Sequence, residues 1–336
     1  MTHRKMTRMG AALIVPALLF AAACGSEDSS DSDNGGKTGA VTKVTGAFGE
    51  EPKFDVPDDA KASDEAVVKV LGKGDGAKVG KGDQVRLDFA GKTMKDDQDL
   101  GSTWAQPAAG GGGGQQAGGA VHQQLMGKVG EPNQSLPPDV LDSVEGHTVG
   151  SRLLVEGTAG ALVGESLNPE SGIKKGDGLV WVIDVAGAGK VDAKAELKGE
   201  SAEPREGMPE IEVPAGKAAK ITIPDGADAP KELQEQVLIK GKGAKVEAGQ
   251  GLVAQYTGYA WEDGKKFDSS WDNAGAATFQ IGTGSVVAGW DKALVGKKVG
   301  DRVLLVIPPD LGYGKSKGHE LEKKTLVFVV DILGTV

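Results

Sequence analysis

Cysteine is almost absent from this chain of 336 residues, since Cys24 is the single one. A disulfide framework within one chain is therefore excluded. Histidine is also scarce, and the four histidines, at positions 3, 122, 147 and 319, show no metal-ligand spacing. No Ser–His–Asp or Cys–His arrangement supports hydrolysis. We expect no metal and no cofactor.

Positive charge is in the minority. The chain carries 38 Lys and Arg against 48 Asp and Glu, a formal net charge of −10. Residues 1–23 hold three of the Lys and Arg, so 35 remain against 48 without them and the charge becomes −13. This excess of acid argues against a nucleic-acid partner.

Long apolar runs are missing except near the start. Residues 10–23, GAALIVPALLFAAA, follow a basic start and are too short to span a bilayer comfortably. They lead into Ala21-Ala22-Ala23-Cys24, which resembles the lipobox of bacterial lipoproteins, although Leu is usual where Ala21 stands. The alternatives are a buried thiol or a thiol lost with a cleaved secretory signal.

We interpret residues 1–24 as a lipoprotein signal in which Cys24 is lipidated. Two or more acyl chains anchor a protein stably, which predicts attachment to the cell membrane on its extracytoplasmic face. The acidic, Ser-rich composition that follows makes 25–41 a predicted flexible tether.

The rest of the chain contains an internal duplication. Residues 76–91, GAKVGKGDQVRLDFAG, align without a gap with 243–258, GAKVEAGQGLVAQYTG. Two more matches follow in the same order, 149–164 with 299–314 and 178–187 with 325–334. A period this long indicates duplicated globular domains. The predicted boundaries are 42–188 for a first domain, 189–206 for a linker and 207–336 for a second domain.

Each copy reads mostly as β-strands. The segments LVAQYTGYAW, RVLLVIP and TLVFVVDIL are rich in β-branched and aromatic residues and are separated by Gly, Pro and Asp. A short helix is predicted from Trp290 to Val295, ending at Gly296. One helix laid across a curved sheet would cover its apolar face.

Three segments of the second domain have the order and spacing of one known family: YTGYAWEDGKKFDSSW (256–271), FQIGTGSVVAGWDKALVGKKVGDRVLLVIPPDLGYG (279–314) and TLVFVVDIL (325–333). Through these segments the second domain resembles an FKBP-type peptidyl-prolyl cis-trans isomerase. It implies an α+β fold in which a bent antiparallel β-sheet wraps around one short α-helix, with an apolar pocket between them. The duplication then predicts two FKBP-like domains.

The resemblance also implies a set of site residues. Trp290 would form the floor under a proline ring, and the Tyr313 hydroxyl would bond a carbonyl of the bound peptide. Asp268 would act electrostatically at the twisted carbonyl or amide. The loop 315–324 would contribute through His319 or Leu321. The pocket walls implied are Tyr256, Phe267, Phe279, Val286, Val287 and Phe328.

The implied partners are proline-containing polypeptides, and macrolide inhibitors of the family are further candidate ligands. Our leading interpretation is an anchored isomerase that acts on secreted or membrane proteins as they fold. The alternative is a non-catalytic proline-segment binding protein or holdase chaperone, which needs the same pocket. Asp268 and Tyr313 favour turnover, and the intact pocket disfavours a purely structural tandem.

The first domain departs from this pattern. Phe89, Leu100 and Gly101 stand where the second domain has Tyr256, Phe267 and Asp268. The alignment also pairs Val140 with Trp290, Val163 with Tyr313 and Thr158-Ala159 with Pro308-Pro309. We therefore predict a folded but inactive copy, which also carries a low-complexity insertion at 106–120.

Overall fold

The computed structural model describes residues 40–105, 122–273 and 275–336. The predicted lipoprotein signal, Cys24, most of the tether and the insertion at 106–120 lie outside these residues. Within the described ranges, no helix is both long enough and apolar enough to cross a membrane.

The first domain is built on a six-stranded antiparallel sheet with the order β3-β7-β8-β4-β5, in which β6 also pairs with β4. A separate hairpin, β1–β2, precedes it. The bounds of its elements are β1 (Lys43–Thr45), β2 (Lys53–Asp55), β3 (Val67–Gly72), β4 (Gln84–Thr93), β5 (Asp99–Ser102), β6 (Leu125–Lys128), α1 (Pro138–Asp142), β7 (Arg152–Thr158), α2 (Ala159–Leu162) and β8 (Gly178–Gly189).

The second domain repeats this plan. Its sheet has the order β11-β15-β16-β12-β13, with β14 paired to β12, and the hairpin β9–β10 precedes it. The bounds are β9 (Glu210–Glu212), β10 (Lys220–Thr222), β11 (Gln234–Ile239), β12 (Gly251–Ala260), β13 (Lys266–Ser269), β14 (Ala277–Gln280), α3 (Ala288–Leu294), β15 (Arg302–Ile307) and β16 (Leu326–Thr335). Each strand has its counterpart in the same place of the other sheet, which confirms the predicted α+β fold with two FKBP-like domains.

The central strands are apolar at consecutive positions because both faces of each sheet are covered. On β15, Val303, Leu305 and Ile307 point to the core around α3, whereas Leu304 and Val306 pack under the hairpin β9–β10. Side chains alternate between the two faces of a strand, so a strand covered on both sides reads as a continuous apolar run.

The helix α3 lies close against the sheet. Its residue Gly289 allows this approach, because a Cβ there would lie 2.5 Å from Cγ2 of Ile307. The helix ends before Gly296, whose φ of +90° suits glycine. It runs from Ala288 to Leu294, so the predicted helix was right in place but began two residues late.

In the first domain α1 occupies the matching place and ends before Gly146, whose φ is +86°. The second short helix of that domain, α2, was not predicted. It stands where the second domain has the 3-10 turn Pro309–Leu311. The other 3-10 turns are Gly164–Ser166, Pro169–Ser171 and Ser270–Asp272.

Candidate active site

Four aromatic rings meet in the second domain between the sheet and α3. The indole of Trp290, on α3, lies 5.5 Å from the ring of Tyr256 on β12, between centroids. It lies 5.3 Å from both Phe279 on β14 and Phe328 on β16. The three interplanar angles, 79° to 84°, are edge-to-face, which aromatic pairs favour. Trp290 is 4% exposed, so it forms the base of the cluster.

Phe267, on β13, extends this cluster towards the surface. Its ring stands perpendicular to that of Phe328, with the centroids 5.5 Å apart. Both rings lie over the backbone of Gly258, where a Cβ would come within 2.6 Å of Phe267 and 2.7 Å of Phe328. Glycine at this point of β12 therefore lets the two rings form a wall.

Aliphatic residues complete the rim. Val286 and Val287, just before α3, are partly buried against the same core. Leu321 reaches that core from the loop 315–324 and is 8% exposed. His319 is exposed, but its ring stacks on Tyr313 with centroids 4.2 Å apart and planes 9° apart. The structure therefore brings together the floor, the walls and both candidate loop residues.

The polar groups lie at the edge of the rings. The Tyr256 hydroxyl donates a hydrogen bond to Oδ2 of Asp268, at 2.6 Å. Burial, this hydrogen bond and the carboxylate charge raise the pKa of Tyr256 far above its usual range. Burial and the charge of Asp268 also raise the pKa of Tyr313. Both phenols are therefore protonated at neutral pH and can act as donors.

Two serines fix this polar edge, and the sequence reasoning did not single them out. The Ser270 hydroxyl accepts the backbone N–H of Tyr256 at 2.9 Å. The Ser269 hydroxyl donates to the Tyr256 carbonyl and is bonded to Thr257, both at 3.0 Å. The Asp-Ser-Ser that follows Phe267 thus joins the end of β13 to the strand that carries Tyr256.

Asp291 was also missed. Its carboxylate accepts the backbone N–H groups of Gly282 and Gly284, at 2.5 and 2.7 Å. Burial raises the pKa of Asp291, while these hydrogen bonds oppose the rise. The bonds hold the loop that carries Val286 and Val287. A polar residue among the apolar positions of a short helix was the available signal.

The matching region of the first domain lacks most of these groups. Gly101 pairs with Gly91 in the sheet as Asp268 pairs with Gly258. Val140 precedes Gly146 by as many residues as Trp290 precedes Gly296. Both glycine N–H groups bond to equivalent carbonyls, at 2.9 and 2.8 Å.

One further loss is visible only in the strand register. Gly127 on β6 pairs with Val85, as Phe279 on β14 pairs with Leu252. The first domain therefore has glycine at the position of a third wall ring. The first domain has an aromatic residue at only two of the aromatic positions of the second site. Phe89 stands in place of Tyr256, and Trp181 stands in place of Phe328.

The second site is a cluster of buried and partly buried aromatic rings with a carboxylate and two phenols at its edge. Such a set of groups is typical of sites that bind a compact apolar group beside a polar bond. A family model described as FKBP-type peptidyl-prolyl cis-trans isomerase matches residues 242–333.

Several known proteins are similar to this chain. A probable FK506-binding protein of Corynebacterium glutamicum is 36% identical over 126 residues, which cover 37% of this chain and 96% of the relative. An FK506-binding protein of Streptomyces anulatus is 37% identical over 111 residues, 32% of this chain and 90% of the relative. The three FKBP domains of wheat FKBP73 align with 81% of this chain and 94% of that structure, at 18% identity and a TM-score of 0.31. The chain belongs to the FKBP family and is an FKBP-type peptidyl-prolyl cis-trans isomerase.

Proposed function

We propose that the aromatic pocket of the second domain is the isomerase site and that it acts on polypeptides folding at the outer face of the cell membrane. The observation that carries the site is the placing of the Tyr256–Asp268 hydrogen bond, 2.6 Å long, beside the rings around Trp290. Apolar floor and polar edge are the two parts that an Xaa-Pro bond requires.

The chemical task is rotation about one amide bond. The barrier for a peptide bond is about 18–20 kcal/mol because resonance is lost in the twisted form, and Xaa-Pro bonds exchange over tens of seconds or more unaided. The twisted amide is less polar at its carbonyl than the planar one, so removal from water favours it. Trp290, Phe279 and Phe328 provide a dry surface for the proline ring.

The polar edge acts on the same bond. The Asp268 carboxylate, oriented by the Tyr256 hydroxyl, places negative charge where the amide twists. The Tyr313 hydroxyl donates to a neighbouring carbonyl of the peptide, which fixes the chain on one side of the rotating bond. Groups that are already oriented stabilise a transition state without further reorganisation.

Location is the second part of the proposal, and it rests on the sequence. We place the mature protein on the extracytoplasmic face of the membrane through a lipid on Cys24, with 25–41 as the tether. Its substrates are then secreted or membrane-bound chains. Cys24→Ser is expected to leave an uncleaved precursor or to release soluble protein, and partition of the wild type entirely into the aqueous phase of a detergent separation would contradict the anchor.

The test of the site is a protease-coupled isomerisation assay on the chain without residues 1–24, with a set of Xaa-Pro tetrapeptides. We expect faster cis-trans exchange, with apolar Xaa preferred because the walls are apolar. The alternative, a non-catalytic binding protein or holdase, predicts peptide binding with exchange no faster than the uncatalysed control.

A further inference from the structure

A cleft lies between the two domains, next to the aromatic pocket. Its volume is about 580 Å³, within the range of ligand sites. It is bounded by β4, β5 and β6 of the first domain and by β14 of the second. Both domains belong to one compact unit, Thr38–Val336, so the cleft is part of the fold.

The cleft is continuous with the candidate isomerase site. Phe279 lines it and is also one of the rings that pack on Trp290. Ser285 lines it as well and directly precedes Val286 on the pocket rim. A peptide chain that leaves the pocket past Phe279 therefore enters the cleft.

The opposite wall is the altered pocket of the first domain. Phe89, Leu100 and Gly101 line the cleft, and these are the residues that replace Tyr256, Phe267 and Asp268. The replacements removed a phenol and a carboxylate, so this wall is neutral. This region of the first domain lacks the groups that the proposed mechanism uses, but it still forms one wall of the cleft.

The cleft is also held in shape by hydrogen bonds between the domains. The Gln124 backbone N–H donates to Oε1 of Gln280 at 2.9 Å, and the Thr278 hydroxyl donates to Oε1 of Gln84 at 3.2 Å. Nε of Arg86 donates to the carbonyl of Val336 at 3.1 Å. These bonds join β4 and the residue before β6 to β14 and to Val336 of the second domain.

The lining has one distinctive chemistry. Among the described residues that line the cleft none is charged, although 26% of the chain is. Side-chain amides and hydroxyls are present, including exposed Gln123, Gln134 and Ser135. Such groups can exchange hydrogen bonds with a peptide backbone, whereas an unpaired charge in a partly closed cleft is unfavourable.

We propose that the cleft binds an extended, uncharged stretch of the polypeptide substrate, next to the proline held in the pocket. This proposal rests on the proposed function. It assigns the first domain a role in substrate binding, and it makes longer uncharged chains better substrates than tetrapeptides.

The test compares two substrates of the chain without residues 1–24. One is a tetrapeptide with a Leu-Pro bond, and the other is the same tetrapeptide flanked on both sides by Ser, Thr, Gln and Val. The variant is Gln123→Glu with Gln134→Glu, which adds charge at two exposed cleft positions and nearly preserves shape. The matched control is Gln98→Glu, exposed on the β4–β5 turn of the same domain.

We expect the wild type and the control to have a higher kcat/KM for the flanked peptide than for the tetrapeptide. The double variant should lower the flanked-peptide value by about three- to ten-fold and leave the tetrapeptide value unchanged. Lysine in the flanks should restore part of the loss. Peptides extended on one side only will show which direction the chain takes.

Equal kcat/KM for the two peptides in the wild type would overturn the cleft proposal while leaving the isomerase site intact. The same would follow if the double variant lowered both values equally, or if it lowered neither. Absence of any acceleration with the tetrapeptide would instead overturn the proposed function, and the cleft proposal with it.

Discussion

The two domains share a sheet and differ in a pocket. Both have the same strand order and a buried ion pair at the same place, Arg152–Asp184 in the first and Arg302–Asp331 in the second, each at 2.6 Å. The two domains differ mainly at the positions that line the site, and these differences leave the sheet and the ion pair unchanged. The fold is thus specified by groups that take no part in the proposed chemistry.

The first domain replaces its pocket with aliphatic core. Leu141 and Leu162 are fully buried there, and they stand where the second domain has Asp291 and Gly312. Asp291 holds a rim loop in the second domain, whereas Leu141 packs into the core. The first domain has Val140 and Gly127 where the second has Trp290 and Phe279. Its additional leucines fill the interior in place of those rings.

The largest effect is expected when Trp290, at the floor of the second site, is replaced by valine, the residue at the matching position of the first domain. Trp290→Val should abolish isomerisation by the whole chain, because we predict that the first domain is inactive. Stability of the second domain should fall by about 3–5 kcal/mol, as for other large-to-small core changes. The measurements are the peptide assay and urea unfolding.

The control for Trp290→Val is Trp181→Phe, which gives the first domain the ring found at position 328. It should leave turnover unchanged. Isomerisation that survives in Trp290→Val at a rate near that of the wild type would mean that the first domain is active.

The buried ion pairs should separate the domains by stability. Arg152 also donates to the carbonyls of Gly46 and Glu50, both at 2.6 Å, and Asp184 accepts the Gly49 N–H at 2.6 Å. Arg152→Met leaves Asp184 buried without its cation and should cost about 3–5 kcal/mol.

Arg302→Met is the matched change in the second domain. It should cost about 1–2 kcal/mol less than Arg152→Met, because Arg302 has no comparable loop to hold among the described residues. Hydrogen exchange of β7 and β8 against β15 and β16 measures each domain separately. A larger effect from Arg302→Met would show that the 46–50 loop adds nothing.

Much of the shared fold of the two domains could be predicted from the sequence. The duplication, the strands and the helix around Trp290 all carry strong local patterns, since apolar runs bounded by Gly and Pro have few alternatives as structure. The covering hairpins were harder to see. Strands of three residues, such as β9 and β10, carry too little periodicity to be recognised alone.

The next change removes charge from the site and keeps its shape. Asp268→Asn should lower kcat/KM by about ten-fold or more, since the carboxylate is proposed to act on the twisting amide. Stability should change by less than about 1 kcal/mol. Peptide assay and urea unfolding on the same sample separate the two effects.

Asp272→Asn removes a carboxylate four residues further on, in the exposed pair with Lys266. It serves as the control, with turnover unchanged and stability altered by less than about 1 kcal/mol. If Asp268→Asn turned over as fast as Asp272→Asn, Asp268 would have no electrostatic role.

The site itself was only partly predictable. Its rings and Asp268 were placed by resemblance to a family, because single residues of these types in a sheet protein are usually structural. Gly127 and Ser270 could not be found that way. Their roles depend on strand register and on hydrogen bonds between separate segments, which a linear pattern does not contain. Asp291 could have been noticed as a polar residue among the apolar positions of its helix.

The pKa values of the tyrosines should depend on the charge of the Asp268 carboxylate. All three tyrosines of the chain lie in the second domain, so an ultraviolet titration observes that domain alone. In Asp268→Asn the pKa of Tyr256 and that of Tyr313 should both fall towards the usual value, because the negative charge is gone while burial remains.

The raised pKa of Tyr256 also predicts how the stability of the second domain changes with pH. A folded-state pKa above the unfolded value contributes stability that is present below about pH 10 and is lost as pH rises beyond it. The wild type should therefore lose more stability above that pH than Asp268→Asn does. Identical titration curves for the two proteins would exclude a charged Asp268 beside the phenols.

The smallest effect is expected from the reverse exchange, Gly101→Asp in the first domain. Gly101 has a φ of +111°, and a Cβ there would lie 3.4 Å from Cε2 of Phe89. Asp268 has no such φ in the second domain, so the aspartate would be strained at position 101 by roughly 1 kcal/mol or more. Placed in the Trp290→Val chain, which we expect to be inactive, Gly101→Asp should restore no isomerisation, because Leu100, Gly127 and Val140 still leave the carboxylate without a dry ring cluster beside it. Recovery of measurable turnover in that double variant would show that the carboxylate, and not the set of rings, separates the two domains.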